Sequence, residues 1–576
     1  MFRAKIRQLI SEAARERFGI LDASEFSVIP PENLEHGDYA INAALVLAKV
    51  LGKNPMEIAS AAAEELGSRS SELGKVEVAP PGFINFFLSE RALQGALADV
   101  LAHPDAWGKS DIGKGKIVMV EYFQLNIAKQ PHIGHIRSAI IGDALKRILQ
   151  SQGYNAVSDT HIGDWGTQFG ILLWEIKEQS IATTAFENLS FDQTFTELEN
   201  LYQAGVHRVE NTPGGRDRAK AEFAKLEQGD GENREIWRWL VDVSMKKLEE
   251  SSARLNLLPF DEHRGESFYE DKMAPIVEMV LQKGIAKKTD DGAVVVDLTS
   301  EGLDEAIMIK SDGASTYLLR DLATIRYRRE QWNFWKNLYV VDVRQSHHFR
   351  QVFRVAELLG FDGAGESEHI EYGFMSLPTG AISTRAGNTI SLESVLNEAE
   401  ERARKVIVEK NPDLENADEV ARMVGLGALK YFDLSHHRRS DIVFRWDEAL
   451  SFDGNAGPYL QYTYARLKSI LRKLDGQAHI KVPNAVGMDA LEHHLLAGLL
   501  RFPEAIEDAL TDFTPNTLAN YLYGLAKSVN EFYHSHPVIQ EQERGKRELR
   551  ICLIAGVVLT LSKGLSLLGI AAPEKM

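Results

Sequence analysis

Hydrophobic positions along the chain change their spacing several times, and each change predicts a change of architecture. Up to about residue 106 helical spacing dominates. The opening stretch MFRAKIRQLISEAARERFG is amphipathic, the same period returns from Ile41 to Val50, and NPMEIASAAAEEL starts a further helix with Pro55 in its first turn. KVEVAPPGFINFFLS alternates as a strand and is broken at Pro80, Pro81 and Gly82, so this part reads as a small α+β unit, followed by the linker AHPDAWGKSDIGKGK. From Lys116 strands and helices alternate, which favours a parallel sheet with crossover helices, and KIVMVEYF and NAVSDTHIGDWG are its first two strands. Between about Ile176 and Glu262 acidic, helix-forming sequence interrupts the strands. Runs rich in apolar and β-branched residues then resume in GAVVVDL, AIMIK, NLYVVDV and EYGFMSL, read here as the remainder of the same buried sheet. After about Ser451 apolar residues fall three and four apart through Leu460 to Leu474, Leu491 to Leu500 and Leu518 to Phe532, the pattern of a helical bundle.

The expected architecture is therefore α/β. Residues 1–106 form an N-terminal α+β domain, residues 107–451 a Rossmann-like parallel-sheet domain with a helical insertion at about 176–262, and residues 452–576 an all-helical bundle. Composition agrees: 576 residues leave room for several domains, and 44% hydrophobic with 26% charged residues is the balance of an ordinary globular protein. The N-terminus lacks the apolar core of a secretory signal, and the longest apolar run, ICLIAGVVLTLS, is short for a bilayer, so a cytoplasmic protein without membrane contact is expected. The single cysteine, Cys552, excludes an intrachain disulfide and any multi-cysteine zinc site, and it sits where a core residue belongs. No protein-bound zinc or other resident metal is expected.

A formal charge of -18 means that contact with a polyanion must use local basic patches. The richest such stretch runs through Arg320, Arg326, Arg328, Arg329, Lys336, Arg344, Arg350 and Arg354, interleaved with Tyr327, Trp332 and Trp335. It fits either a solvated helix face or a polyanion contact.

The chemistry concentrates in NIAKQPHIGH, Asn126 to His135, between the strand KIVMVEYF and the helical IRSAIIGDALKRILQSQG. Two histidines around a glycine stand where the free N–H groups of a helix start collect anions. His161, Gly163, Asp164, Trp165 and Gly166 end the second strand, so two polar clusters face one crevice at the carboxyl edge of the sheet. Neither a P-loop nor a dinucleotide fingerprint is present. Alone, H-x-G-H also fits two loop histidines or part of a metal site, and Asp164 also fits a turn.

The longer text narrows this. VEYFQLNIAKQPHIGHIRSAIIGDAL with HIGDWGTQFG resembles the catalytic domain of class I aminoacyl-tRNA synthetases, specifically the arginyl-tRNA synthetase family. The likeness continues through KSDGASTYLLRDLA, YVVDVRQSHHFRQVF and GALKYFDLSHHRRSDIVFRWDEALSFDGNAGPYLQYTYAR to the C-terminal LLGIAAPEKM, and it covers HGDYAINAALVLAK and PGFINFFL near the start. It implies ATP-dependent attachment of arginine to its tRNA through an arginyl-adenylate, with Mg2+ accompanying ATP, in a monomer. It implies that His132, Gly134 and His135 bind ATP, and that Glu121, Asn126, Tyr317, Asp321 and Gln345 bind arginine. The residues alone leave other readings: Asp321 also fits a partner for Arg320 or a helix cap, and Tyr317 a core position.

The same resemblance assigns tRNA contacts to Phe83 and Asn85 in the N-terminal domain and to Tyr462, Arg466, Tyr533 and Met576 in the anticodon-binding bundle. Three departures stand out. AISTRAGN has alanines, Ala381 and Ala386, at both positions where the family's mobile loop carries lysine, while Ser383, Thr384, Arg385, Gly387 and Asn388 remain. Arg385 and Lys129 are the candidates to supply the missing charge, with Ser383 and Gly387 as ATP contacts. Gln124-Leu125 replaces the small residue and proline usual before Asn126, and Pro80 replaces a glycine. Two other classes of function stay open: a different nucleotidyltransferase with an H-x-G-H loop, and a tRNA-binding protein without catalysis.

Overall fold

Four short parallel strands form the centre of the molecule, in the order Ser367–His369, Lys336–Tyr339, Ile117–Glu121, Asn155–Asp159. The computed structural model describes residues 2–19, 26–31, 33–69, 72–186, 188–378, 390–474, 481–483 and 486–576. Val118, Met119, Val120, Ala156 and Val157 are buried because helices cover both faces of this sheet. The chain leaves strand Ile117–Glu121 for one edge of the sheet and later returns to its other side. The crevice between that strand and Lys336–Tyr339 is thus a topological switch point, where open α/β sheets bind ligands.

The helical insertion is borne out as helices Phe191–Asn211, Gly215–Glu227 and Gly231–Arg254. Two expected sheet strands belong elsewhere. GAVVVDL and AIMIK supply Val294–Val296 and Ala306–Ile309, which pair antiparallel with each other and, through Val294–Val296, with Ala286–Lys288 in a separate small sheet. Val294, Val295 and Val296 are all buried, so their apolar run matches that of a parallel strand. In EYGFMSL, Met375–Ser376 pairs among the described residues only with Ile442–Val443, and the fourth central strand lies just before it.

The N-terminal domain is a four-stranded antiparallel sheet carrying helices Phe2–Phe18, Ala43–Leu51 and Pro55–Arg69. It docks on the C-terminal bundle: Arg3 pairs with Asp508 at 2.6 Å, and the Tyr39 hydroxyl donates to Glu504 at 3.0 Å. The bundle's last helix, Arg544–Leu567, is longer than its apolar run suggested and by length and composition could cross a membrane. Its most apolar window is 72% buried, however, and Cys552 lies inside it as a core residue.

Helix Ile136–Ser151, which starts at the two histidines, is held to the rest of the domain by the buried Arg137. Its Nε donates to Asp433 at 2.9 Å and its Nη1 to the carbonyl of Gly373 at 2.6 Å. Arg137→Leu leaves Asp433 buried without its partner and is expected to destabilise the protein by about 3–5 kcal/mol. Adding Asp433→Leu removes the uncompensated charge and is expected to recover part of the loss. Thermal unfolding of both variants checks this, and a double variant no more stable than the single one would contradict it.

Candidate active site

The loop that opens helix Ile136–Ser151 folds back on itself through its imidazoles. His132 Nδ1 accepts the Gly134 N–H at 3.1 Å, and His135 Nδ1 accepts the His132 N–H at 3.1 Å. The rings lie 3.9 Å apart. Burial lowers the pKa of His132, and the positive charges of Lys129 and Arg344 lower it further. Burial and the neighbouring His132 bring His135 down to about 3. Both rings are therefore neutral at pH 7. Because each Nδ1 accepts a backbone N–H, each carries its proton on Nε2 as an outward donor. A Cβ on Gly134 would stand 2.9 Å from His132 Cε1 and Nδ1, so a side chain there would push the ring away.

Acidic side chains line the opposite wall. Glu121 and Asp159 face each other in register at the carboxyl ends of neighbouring strands. The fully buried Arg328 reaches both, at 2.7 and 2.8 Å. Burial alone would raise the Asp159 pKa, but Arg328 holds it below the usual value. His161, at a left-handed φ of 38°, lies in the field of these groups. Burial would lower its pKa, yet Glu121, Asp321 and Asp159 together raise it. Burial pushes Glu266 up to about 7 although Arg320 pairs with it at 2.8 Å. Arg320 thus pairs with Glu266, whereas Asp321 pairs with His348 Nε2 at 2.5 Å.

The predicted amino-acid contacts converge only in part. Tyr317 and Asp321 sit one turn apart on helix Tyr317–Trp332, which also carries Arg328. Tyr317 is 65% exposed, so it is no core residue, and the Arg320 guanidinium lies 4.9 Å from its ring. Asn126 and Gln345 are exposed at the crevice edge, Asn126 bridging to Gly163 and Gln345 preceding helix Ser346–Leu359. Glu121, by contrast, is buried, and Gln124 Nε2 donates to its second oxygen at 3.3 Å. The unusual Gln124 is thereby part of the wall, and its own Oε1 accepts from Ser138 Oγ at 3.1 Å. Asp164 turns away and accepts from Ser267 Oγ at 2.6 Å, tying the second strand's loop to the segment that carries Glu266.

Sequence reasoning missed Glu266, His348 and the role of Arg328 beside the crevice. Most of the basic stretch from Arg320 to Arg354 is neither a free face nor an open patch. Arg329 pairs with Asp362, Lys336 with Glu368 and Arg354 with Glu301, while Trp335 stacks on Tyr154 at 5.2 Å. A readable signal for Arg328 existed: it falls seven residues after Asp321, two helical turns along one face.

Lys129 is exposed, with Nζ 5.2 Å from the Tyr202 ring of the insertion. Ala381, Ser383, Arg385, Ala386 and Gly387 lie outside the described residues. In the C-terminal bundle, Tyr462 and Arg466 share helix Gly457–Arg472. Tyr462 is 42% exposed beside Phe452, and Arg466 lies 4.5 Å from the Tyr533 ring. Met576 packs with Phe452 on one small core. In the N-terminal sheet Phe83 is half-buried and Asn85 buried. Asp489, Glu492 and His536 approach one another closely enough to suggest a metal site, but a helix cap and the pairing of Glu492 with Arg550 at 2.6 Å account for them.

Comparison with known proteins matches all three parts of the chain. Residues 96–446 fit the family described as tRNA synthetases class I (R), catalytic domain. Residues 4–88 fit the arginyl tRNA synthetase N terminal domain and residues 460–576 the DALR anticodon binding domain. The arginine–tRNA ligase of Clostridioides difficile is 38% identical over 98% of this chain and 99% of its own length. This chain belongs to the arginyl-tRNA synthetase family. The arginine–tRNA ligase of Halothermothrix orenii is 36% identical over 100% of both chains. The Thermus thermophilus arginyl-tRNA synthetase structure covers 100% of both chains with a TM-score of 0.84 at 28% identity. The described residues thus have the arginyl-tRNA synthetase fold.

The depressed pKa of His135 makes the folded state acid-sensitive. Below the unfolded value of 6.5 the unfolded chain takes up a proton that the folded ring refuses until about 3. This group's stability contribution is therefore undiminished above 6.5 and falls as pH drops from 6.5 toward 3. His135→Asn, whose side-chain oxygen can still accept the His132 N–H, is expected to flatten that slope. Melting temperatures of both proteins between about pH 7 and 4 check it, and parallel curves would contradict it.

Proposed function

We propose that the protein ligates L-arginine to its cognate tRNA, activating arginine with ATP as an arginyl-adenylate before transfer. The observation that carries this reading is the division of one crevice into an acidic wall and a wall of neutral imidazole donors. A guanidinium fits the first wall, where Glu121, Tyr317, Asp321 and their neighbours can meet its planar fork. Phosphates fit the second, where the Nε2–H groups of His132 and His135 donate without titrating.

The arginine carboxylate attacks the α-phosphorus in line, the bond to the bridging oxygen breaks, and pyrophosphate leaves with the electron pair. A ribose hydroxyl at the tRNA terminus then displaces AMP. Asn126 and Gln345, exposed at the crevice mouth, are placed to hold the α-amino and carboxylate groups so that this attack is aligned. Mg2+ arrives with the nucleotide. Lys129 carries the phosphate-side charge that Ala381 and Ala386 cannot, with Arg385 as the second candidate and Ser383 and Gly387 as further nucleotide contacts. Phe83 meets the outer part of the tRNA, whereas Asn85, buried in the same strand, does not reach it directly; Tyr462, Arg466, Tyr533 and Met576 meet its anticodon, where exposed aromatics can stack on splayed bases. The enzyme works as a cytoplasmic monomer.

Purified protein is expected to charge tRNA with arginine and to catalyse arginine-dependent pyrophosphate exchange. Binding of tRNA without charging under any condition would favour the non-catalytic reading. Lys129→Ala is expected to lower the exchange rate by about 10²- to 10³-fold, the usual cost of one lost charge-assisted contact to a developing anion. An unchanged rate would remove Lys129 from the mechanism.

A further inference from the structure

We propose that Arg344 is a second cationic contact for the phosphates of ATP, reaching them from the side of the crevice opposite Lys129. The inference rests on the arginine-ligation reading. Arg344 lies in the turn Val343–Gln345, just beyond strand Lys336–Tyr339 at the carboxyl edge of the sheet. That turn is fastened to the imidazole loop's own helix. Ser138 Oγ, three residues after His135, donates to the Val340 carbonyl at 2.9 Å. The Val343 N–H donates to the Tyr372 carbonyl at 2.9 Å, and Arg137 grips the next residue, Gly373, at 2.6 Å. Arg344, Phe374 and the two histidines therefore share one stiff frame.

The guanidinium is aimed by its neighbours. Asp342 accepts from Nε at 2.8 Å and from Nη2 at 3.0 Å, and the guanidinium lies 4.5 Å from the Phe374 ring. Among the described residues Nη1 has no hydrogen-bond partner. The domain's purely structural arginines look different: Arg137 and Arg328 are both 1% exposed with several buried partners, whereas the Arg344 side chain is 69% exposed. Phe374 is itself 40% exposed, an apolar ring left beside an oriented cation. Lys129, by contrast, faces Tyr202 of the insertion. The two cations thus flank the imidazoles from different elements, and both charges are felt at His132.

When the bond between the α-phosphorus and the bridging oxygen breaks, negative charge grows on the departing pyrophosphate. A guanidinium already held by Asp342 can meet it with little further ordering. Asp342 weakens the local charge but fixes its position, as a supporting shell does for a reacting group.

The test is arginine-dependent pyrophosphate exchange in the presence of tRNA, measured on the unsubstituted protein, Arg344→Ala and Arg344→Lys. Arg344→Ala is expected to lower kcat by about 10²- to 10³-fold with the KM for arginine changed by less than about twofold. Arg344→Lys, which keeps the charge, is expected to recover at least about tenfold of that loss. Retained tRNA binding and an unshifted melting temperature show that the variants are folded. An unchanged rate in Arg344→Ala, or equal loss in the alanine and lysine variants, overturns the proposal. Normal exchange with slowed transfer to tRNA also overturns it, because the contact would then be to tRNA. Failure of the unsubstituted protein to exchange would instead overturn the ligation reading, and this inference with it.

Discussion

Glu121 and Asp159 end two adjacent parallel strands side by side, and the guanidinium of Arg328 lies against both. Two buried carboxylates so placed would repel each other and drive the strand ends apart. One buried arginine on helix Tyr317–Trp332 reconciles them and in doing so fixes that helix against the sheet edge. Tyr317 and Asp321 on the same helix are positioned as a consequence. The acidic wall is therefore built around a cation that belongs to the fold. In the proposed ligation a second cation, the substrate guanidinium, meets the carboxylate surface that Arg328 leaves over.

The opposite wall follows another rule. His132 and His135 each give up one ring nitrogen to a backbone N–H, which settles both tautomers, while burial and neighbouring positive charge lower the pKa of both rings. Donors that carry no charge can bind phosphate without drawing in the neighbouring acids. In the proposed mechanism the positive charge that the reaction also needs comes from Lys129 and Arg344. Backbone strain is found in the same place too: Phe123, Ala128 and His161 adopt left-handed φ angles around the crevice. Such strain persists only where the surroundings over-determine it. The Phe123 N–H donates to Ser138 Oγ at 2.9 Å and the Ala128 N–H to Ser244 Oγ at 3.0 Å, two of the bonds that do so.

Much of this was legible in the residues. Helical spacing located the insertion and the bundle, and the strand-to-helix step at NIAKQPHIGH appears as strand Ile117–Glu121 leading to helix Ile136–Ser151. What escaped was pairing across distance. GAVVVDL and AIMIK looked like parallel strands because burial on both faces produces the same apolar run in an antiparallel sheet. Arg328 passed for surface charge because its carboxylate partners, Glu121 and Asp159, lie more than a hundred residues away in sequence. Glu266 gave no sign at all, since only the folded chain buries it. Gln124, a departure from the family pattern in sequence, supplies in space a hydrogen bond to Glu121.

The central claim is that one crevice holds an acidic wall for a guanidinium and a wall of uncharged Nε2–H donors for phosphates. The measurement closest to it is the nitrogen-15 chemical shift of the two ring nitrogens of His132 and His135 in histidine-labelled protein, assigned by single substitution. At neutral pH both residues are expected to show a protonated Nε2 and a bare Nδ1, and His135 is expected to keep that state as the pH falls toward 3. Doubly protonated rings, or the proton on Nδ1, would contradict the account.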